Sequence, residues 1–148
     1  MSIHEQEAVK ETYYSEANRY MDNAKEYLKN AKKEDGFYLD KKYVKTACGT
    51  AYSGVLTALD GFLTLKDIKP KGKERKSVEF YQRNITKIDK KMLHTFISAY
   101  EILHLLGYYD GITKASVFDL AYKIKEASRN NILKNLCELC GLPLRTLR

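Results

Sequence analysis

Three residues in the middle of the chain have side chains that could take part in chemistry: Asp60, Tyr100 and His104. Asp60 is the only charged residue between Lys45 and Lys66, and a buried carboxylate requires a cationic or hydroxyl partner. Histidine exchanges protons near neutral pH, and Tyr100 precedes His104 in the same predicted helix. A small enzyme pocket around these residues is one hypothesis. The alternatives are a structural pair or a groove-facing position for Asp60, and a hydrogen-bonded core position for His104.

The remaining histidines and cysteines lack the spacing of a metal or redox site. His94 and His104 are ten residues apart and do not share a helix face, so they form no helical metal pair. Cys137 and Cys140 have CxxC spacing. Redox chemistry at such a pair needs a βα context, and zinc needs two further ligands that the sequence does not offer. We therefore expect no bound metal and no cofactor.

The charge distribution raises a second kind of function, the binding of an acidic partner. The chain has a net charge of +7, and residues 66–76 alone contain six basic and two acidic side chains. Pro70 and Gly72 predict that this basic segment is a loop. Its alternative interpretation is a mobile, solvated loop with no partner. The residues that would contact the phosphates of a nucleic acid are Lys69, Lys71, Lys73, Arg75, Lys76 and Arg129.

The element that must position Asp60 is a central helix, predicted over residues 41–66 and capped by Asp40. Three parallel seams with helical spacing run along it. The seam of small residues is Ala47, Ala51, Gly54, Ala58 and Gly61. The seam of larger apolar residues is Cys48, Tyr52, Val55, Leu59 and Phe62. The polar seam is Thr46, Thr50, Ser53, Thr57, Asp60 and Thr64. A helix that is apolar over most of its circumference is typically central and closely packed, and the hydroxyls and Asp60 argue against a membrane span.

Helical spacing also covers the rest of the chain. The first helix is predicted from Ser2 to Lys33, with a Ser2–Glu5 capping box and Gly36 as its stop. The third is predicted from Ser77 to Gly107, and Asp89 could cap a restart that kinks it. A fourth would start at Thr113 and stop at Gly141, with a short extra C-terminal helix as a variant. No segment alternates like a strand. The sequence therefore predicts a single all-α domain over residues 1–148, an up-down-up-down four-helix bundle.

The first two helices, rich in Ala and Tyr, resemble the HEPN group of small helical bundles. The segment that runs from Leu103 to Gly111 is similar to an uncharacterised bacterial family with such a fold. The resemblance covers about residues 10–135 and implies the fold and the formation of a dimer. HEPN ribonucleases carry an Arg-x4–6-His motif, but Arg129 is followed by Lys134 where that motif has histidine. Lysine is a poor base near neutral pH, so we expect no metal-independent ribonuclease activity.

Three hypotheses for the function follow. The first is a non-catalytic helical-bundle interaction module that forms a homodimer and could also bind another protein. The second is a basic bundle associated with RNA or the ribosome through residues 66–76 and Arg129. The third is an enzyme with a small pocket near Asp60 and His104. The N-terminus has no basic and then apolar run of a secretory signal, so we expect a cytoplasmic protein with no membrane partner.

Overall fold

The computed structural model of the chain describes residues 1–111, and these are mostly helical. The elements, in chain order, are α1 (Ile3–Asn30), β1 (Lys33–Glu34), β2 (Phe37–Tyr38), α2 (Lys41–Leu65), α3 (Val78–Thr86), α4 (Lys90–Ala99) and a π-helical segment (Tyr100–Tyr109). The all-α prediction is confirmed at this level. The predicted fourth helix from Thr113 lies outside the described residues, as do Arg129 and the Cys137–Cys140 pair. Within residues 1–111, no helix has the length and apolar content that crossing a bilayer requires.

Four predicted helix starts are confirmed by their caps. Glu5 N–H donates to the Ser2 hydroxyl over 3.1 Å, and the Glu5 carboxylate accepts from Ser2 N–H, which completes the capping box. Asp40, Ser77 and Asp89 each accept hydrogen bonds from the first turn of the helix that follows. Each cap satisfies backbone N–H groups that have no partner inside the helix.

The end of the first helix differs from the prediction. α1 stops at Asn30 rather than continuing to residue 33, and the antiparallel strands β1 and β2 follow it. Asp35 and Gly36 connect the strands with φ of +51° and +78°. Asp-Gly with two positive φ angles is the preferred two-residue hairpin turn, because its twist matches that of the strands. The prediction of no strand was wrong here, and Gly36 turns the hairpin instead of ending α1.

The predicted third helix is divided into three parts. α3 ends at Thr86, and Asp89 caps the restart as α4. From Tyr100 the chain continues as a π-helix, in which the N–H of Asp110 donates to the carbonyl of Leu105, five residues earlier. Gly107 does not end this helix, as the sequence suggested, but lies buried within it. A glycine is needed here because the segment packs directly against Cys48 of α2, and not because the helix ends.

α2 is the centre of the fold, as its seams predict. All residues of the small seam and of the larger apolar seam are buried. α1 packs against the small seam in antiparallel orientation, because Gly54 lies against Ala17 and Gly61 lies against Tyr13, nearer the start of α1. The π segment packs against another face of α2, with Gly107 beside Cys48. The small residues therefore let two neighbouring segments approach the central helix closely.

Candidate functional site

A cleft of about 440 Å³ lies between α1, α2 and the π segment. Its floor is one face of α2, formed by residues 46, 49, 50 and 53; residues 49 and 50 are each three or four positions from both 46 and 53. α1 contributes one wall, and the π segment contributes the other. The lining residues among positions 1–111 are Tyr20, Lys45, Thr46, Gly49, Thr50, Tyr52, Ser53, His104 and Tyr108.

His104 is at the centre of an aromatic cluster on the π-segment wall. Its ring stacks on Tyr52 at a centroid distance of 4.6 Å, and Tyr100 and Tyr108 stack near it at 5.5 and 5.8 Å. Tyr109 meets the ring edge-on at 4.8 Å. Tyr100, His104 and Tyr108 follow each other at steps of four, so they share one face of the segment. The predicted pair of Tyr100 and His104 is thus in contact, although Tyr100 does not itself line the cleft.

Burial sets the protonation states of this cluster. Desolvation lowers the pKa of His104, because the charged imidazolium loses hydration that its aromatic neighbours do not replace. Desolvation, with a smaller contribution from Tyr100, raises the pKa of Tyr52, so its hydroxyl stays protonated. Burial thus favours the neutral form of both His104 and Tyr52. Among the nine lining residues, Lys45 is the only one with a full charge.

The floor of the cleft presents hydroxyl groups in two different states. Ser53 donates its hydroxyl hydrogen to the carbonyl of Gly49 over 3.1 Å, and that bond fixes its orientation. Thr46 and Thr50 make no such side-chain bond with any residue between 1 and 111, so their hydroxyls can donate to a bound group. A threonine hydroxyl has one donor and two acceptor sites. The floor can thus hydrogen-bond to a polar ligand atom.

Asp60 lies about two helical turns further along α2 and does not line the cleft. Its carboxylate accepts a hydrogen bond of 2.7 Å from the hydroxyl of Tyr81, and Lys76 Nζ lies 3.4 Å from the same oxygen. Tyr81 is buried, and its pKa is raised by desolvation and by its hydrogen bond and proximity to Asp60. Asp60 thus has both the hydroxyl and the cationic partner that its position requires, at 22% side-chain exposure. The structure brings Tyr100 and His104 together and leaves Asp60 in a separate pair.

The basic loop is exposed at all five of its predicted phosphate-contacting positions. Lys76 pairs with Asp60, and Glu74 pairs with Arg83 and accepts from the backbone N–H of Lys71. Of these five positions, Lys69, Lys71, Lys73 and Arg75 form no ion pair with any residue up to Gly111. The loop therefore presents four cationic side chains to solvent at these positions. Arg129, the sixth predicted residue, is outside this part of the chain.

Large apolar side chains are exposed at one end of the molecule. Tyr27 lies in the last turn of α1, Phe37 and Leu39 lie in and after the hairpin, and Tyr108 and Tyr109 end the π segment. These elements meet because Gly111 lies against the first turns of α2, which follow directly after the hairpin. We call this end the hairpin end. Exposed apolar patches mark interaction sites, and this end of the molecule presents several large apolar side chains from three neighbouring elements.

Sequence reasoning missed several cleft residues. From the sequence, Tyr52 belongs only to the apolar seam of α2, and Tyr108 lies beyond the predicted end of the third helix at Gly107. Lys45 and Thr50 were not singled out as candidates for binding. The π-segment wall could have been predicted from Tyr100, His104 and Tyr108, which are spaced four residues apart. This spacing places Tyr108 on the same face only if the helix continues past Gly107.

Comparisons with known proteins place this fold within a family. Residues 12–134 match a family described as a domain of unknown function (DUF5618). A solved structure described as a protein of unknown function from Dyadobacter fermentans shares 43% sequence identity with the chain. That similarity covers 91% of this chain and 99% of the other, with a TM-score of 0.72. No curated protein matches the chain. Since the match spans most of its length, the chain belongs to the DUF5618 family.

Proposed function

We propose that this DUF5618 protein is a non-catalytic interaction module that forms a homodimer through its hairpin end. The observation that carries the proposal is the exposure of large apolar side chains there, with Leu39 59% and Tyr109 61% exposed. Burying such groups against a second copy removes apolar surface from water, which is the main driving force of association. Soluble dimers bury about 800 Å² per partner, an area that several clustered aromatic and aliphatic side chains can supply.

A non-catalytic role is supported by the surroundings of the best candidate for a catalytic group. Within residues 1–111, the His104 ring meets aromatic side chains, and no carboxylate there interacts with it in a way that could orient it as a general base. Asp60 is held by Tyr81 and Lys76 instead. We further propose that the complete domain is a cytoplasmic, HEPN-like up-down-up-down bundle, in line with the helical spacing of the whole sequence.

The test is the oligomeric state of the full chain, measured by sedimentation velocity over a wide range of concentration. The wild-type protein is expected to be dimeric, and the double variant Leu39→Ser/Tyr109→Ser is expected to be monomeric. The matched control is Ile3→Ser, which replaces an apolar residue that is 74% exposed at the start of α1, away from the hairpin end. This control should remain dimeric. A wild-type monomer at every concentration, or a double variant that dimerises like the wild type, would refute the proposal.

RNA binding by the basic loop is a second candidate, because four of its cationic side chains form no ion pair within residues 1–111. Contacts with phosphates release counterions, so affinity for a generic RNA should fall steeply with added salt. The test replaces five residues by Ser: Lys69, Lys71, Lys73, Arg75 and Lys76. A charge-matched control replaces five lysines elsewhere by Ser: Lys29, Lys32, Lys33, Lys41 and Lys42. Fluorescence anisotropy should show that only the loop variant loses binding, and the RNA should remain uncleaved.

A further inference from the structure

We propose that the cleft between α1, α2 and the π segment binds a small, planar aromatic molecule that carries one acidic group. The proposal rests on the size of the cleft, the aromatic wall, and the single cation among its lining residues. The cleft shares Tyr108 with the hairpin end, but its floor and its cation belong to α2, and its test measures ligand binding rather than oligomeric state.

The size and lining of the cleft fit a small ligand. Its volume of about 440 Å³ lies within the range of about 300–1,000 Å³ typical of small-molecule sites. Such sites combine aromatic or apolar walls with a few polar groups that fix the orientation of the ligand. This cleft has four ring-bearing residues, three hydroxyl-bearing residues on its floor and one lysine.

The wall selects a planar ring. His104 and Tyr108 lie nearly parallel, with an angle of 11° between their planes, and Tyr108 is 46% exposed. A flat ligand can stack in the same orientation, as aromatic pairs prefer in offset arrangements. Because burial lowers the pKa of His104, its ring is neutral and does not repel a cationic ligand, so the wall gives shape but little charge preference.

The charge preference comes from Lys45 at the edge of the floor. Lys45 makes no ion pair with any residue up to Gly111, and no acidic residue of that part of the chain lines the cleft. Thr46 and Thr50 lie beside it on α2, and their hydroxyls can donate to the oxygens of an acid group. The ammonium group of Lys45 and the neighbouring hydroxyl donors therefore favour an anionic ligand over a neutral compound or an amine.

The π segment holds this wall in place. Gly107 brings the segment so close to α2 that an added Cβ would lie 2.5 Å from the Cβ of Cys48. π-helical turns are rare and are frequently found at functional sites. Here the segment holds the backbone at His104 and Tyr108 against α2, and rigid elements keep a binding site preorganised.

The experiment uses 1-naphthoate as the probe, with two compounds of the same shape, neutral 1-naphthamide and cationic 1-naphthylmethylamine. Binding to the full-length protein is followed by isothermal titration calorimetry, and the site is located by amide chemical-shift changes in residues 46–53. Naphthoate is expected to bind most tightly of the three. Lys45→Met should weaken naphthoate about fivefold to tenfold and leave naphthamide unchanged, since only the charge-assisted interaction is lost.

Two further variants separate loss of the site from loss of the fold. Tyr108→Ala should weaken naphthoate and naphthamide alike, because it removes the stacking surface and not the charge. Lys42→Met is the matched control, an exposed lysine of the same helix that does not line the cleft, and it should bind like the wild type. Circular dichroism of each variant serves as the control for correct folding. The proposal is overturned if naphthoate does not saturate the wild-type protein, or if Lys45→Met and Tyr108→Ala bind it as tightly as the wild type.

Discussion

Replacing Gly107 by Ala should destabilise the protein, because no space exists for even one methyl group at this position. The added Cβ would lie 2.5 Å from Cys48 Cβ and closer still to its sulfur. Carbon atoms in contact normally lie about 3.5–4.0 Å apart. The π segment and α2 must therefore separate by about 1 Å, or the Cys48 side chain and its surroundings must shift.

The size of the effect follows from two opposing contributions. Overpacking a buried site costs about 1–3 kcal/mol, and the rigid backbone on both sides of this contact places Gly107→Ala near the upper limit. Ala has a better helix propensity than Gly by about 1 kcal/mol, which offsets part of this cost. We expect a net loss of about 2 kcal/mol in the free energy of unfolding. For a domain of this size that corresponds to a melting temperature lower by roughly 4–8 °C.

Urea denaturation followed by circular dichroism measures the effect, with Gly49→Ala as the matched control. The added Cβ at Gly49 meets the ring of Tyr108 at 2.9 Å, but that ring is partly exposed and can turn away. Gly49→Ala should therefore be neutral or slightly stabilising. In a Cys48→Gly background, Gly107→Ala should cost less, because the obstructing atoms are gone. A Gly107→Ala variant as stable as the wild type would refute the close approach of the two segments.

Three further predictions concern stability. Tyr81→Phe removes the hydrogen bond to Asp60 and should lower the free energy of unfolding by about 1–3 kcal/mol in urea denaturation, since the acceptor is charged. Ala58→Leu overpacks the contact of α2 with its neighbours and should cost about 1–3 kcal/mol; an unchanged melting temperature would show that the site is not packed. Because burial lowers the pKa of His104, the unfolded chain binds more protons there, so stability should fall as the pH falls below about 6.5. His104→Gln should reduce this fall in a pH series of unfolding curves.

The sequence predicted the helices where local signals and packing signals agree. The apolar seams of α2 predicted that this helix is buried. Asp40 and Asp89 predicted helix starts, because a capping side chain accepts hydrogen bonds from first-turn N–H groups that have no partner within the helix. The hairpin was missed because β1 and β2 have only two residues each, too few to show alternation. The Asp35-Gly36 pair was the available signal, and it was interpreted as a helix stop.

The candidate site was only partly predictable. Tyr100 and His104 could be placed together because residues four apart share a helix face. Asp60 could not be separated from them, since its distance from His104 depends on how α2 packs against the later helices. Tyr81, its partner, follows it by 21 residues, and no local pattern links the two. The π-helix continues past Gly107 and places Tyr108 at the cleft, but no sequence pattern predicts this. A glycine indicates a helix end as readily as a close contact between two segments.

The polar seam of α2 explains how one helix can serve both stability and binding. Near its C-terminal end, Tyr81 of α3 and Lys76 of the basic loop pair with Asp60. Near its N-terminal end, Thr46 and Thr50 lie on the floor of the open cleft. A polar group is costly to bury unless it is hydrogen-bonded, so the Asp60 carboxylate needs partners within the protein. The hydroxyls of Thr46 and Thr50 face the open cleft and can hydrogen-bond to a ligand instead. Changes at Tyr81 should therefore alter stability and leave naphthoate binding intact, whereas changes at Lys45 should do the reverse.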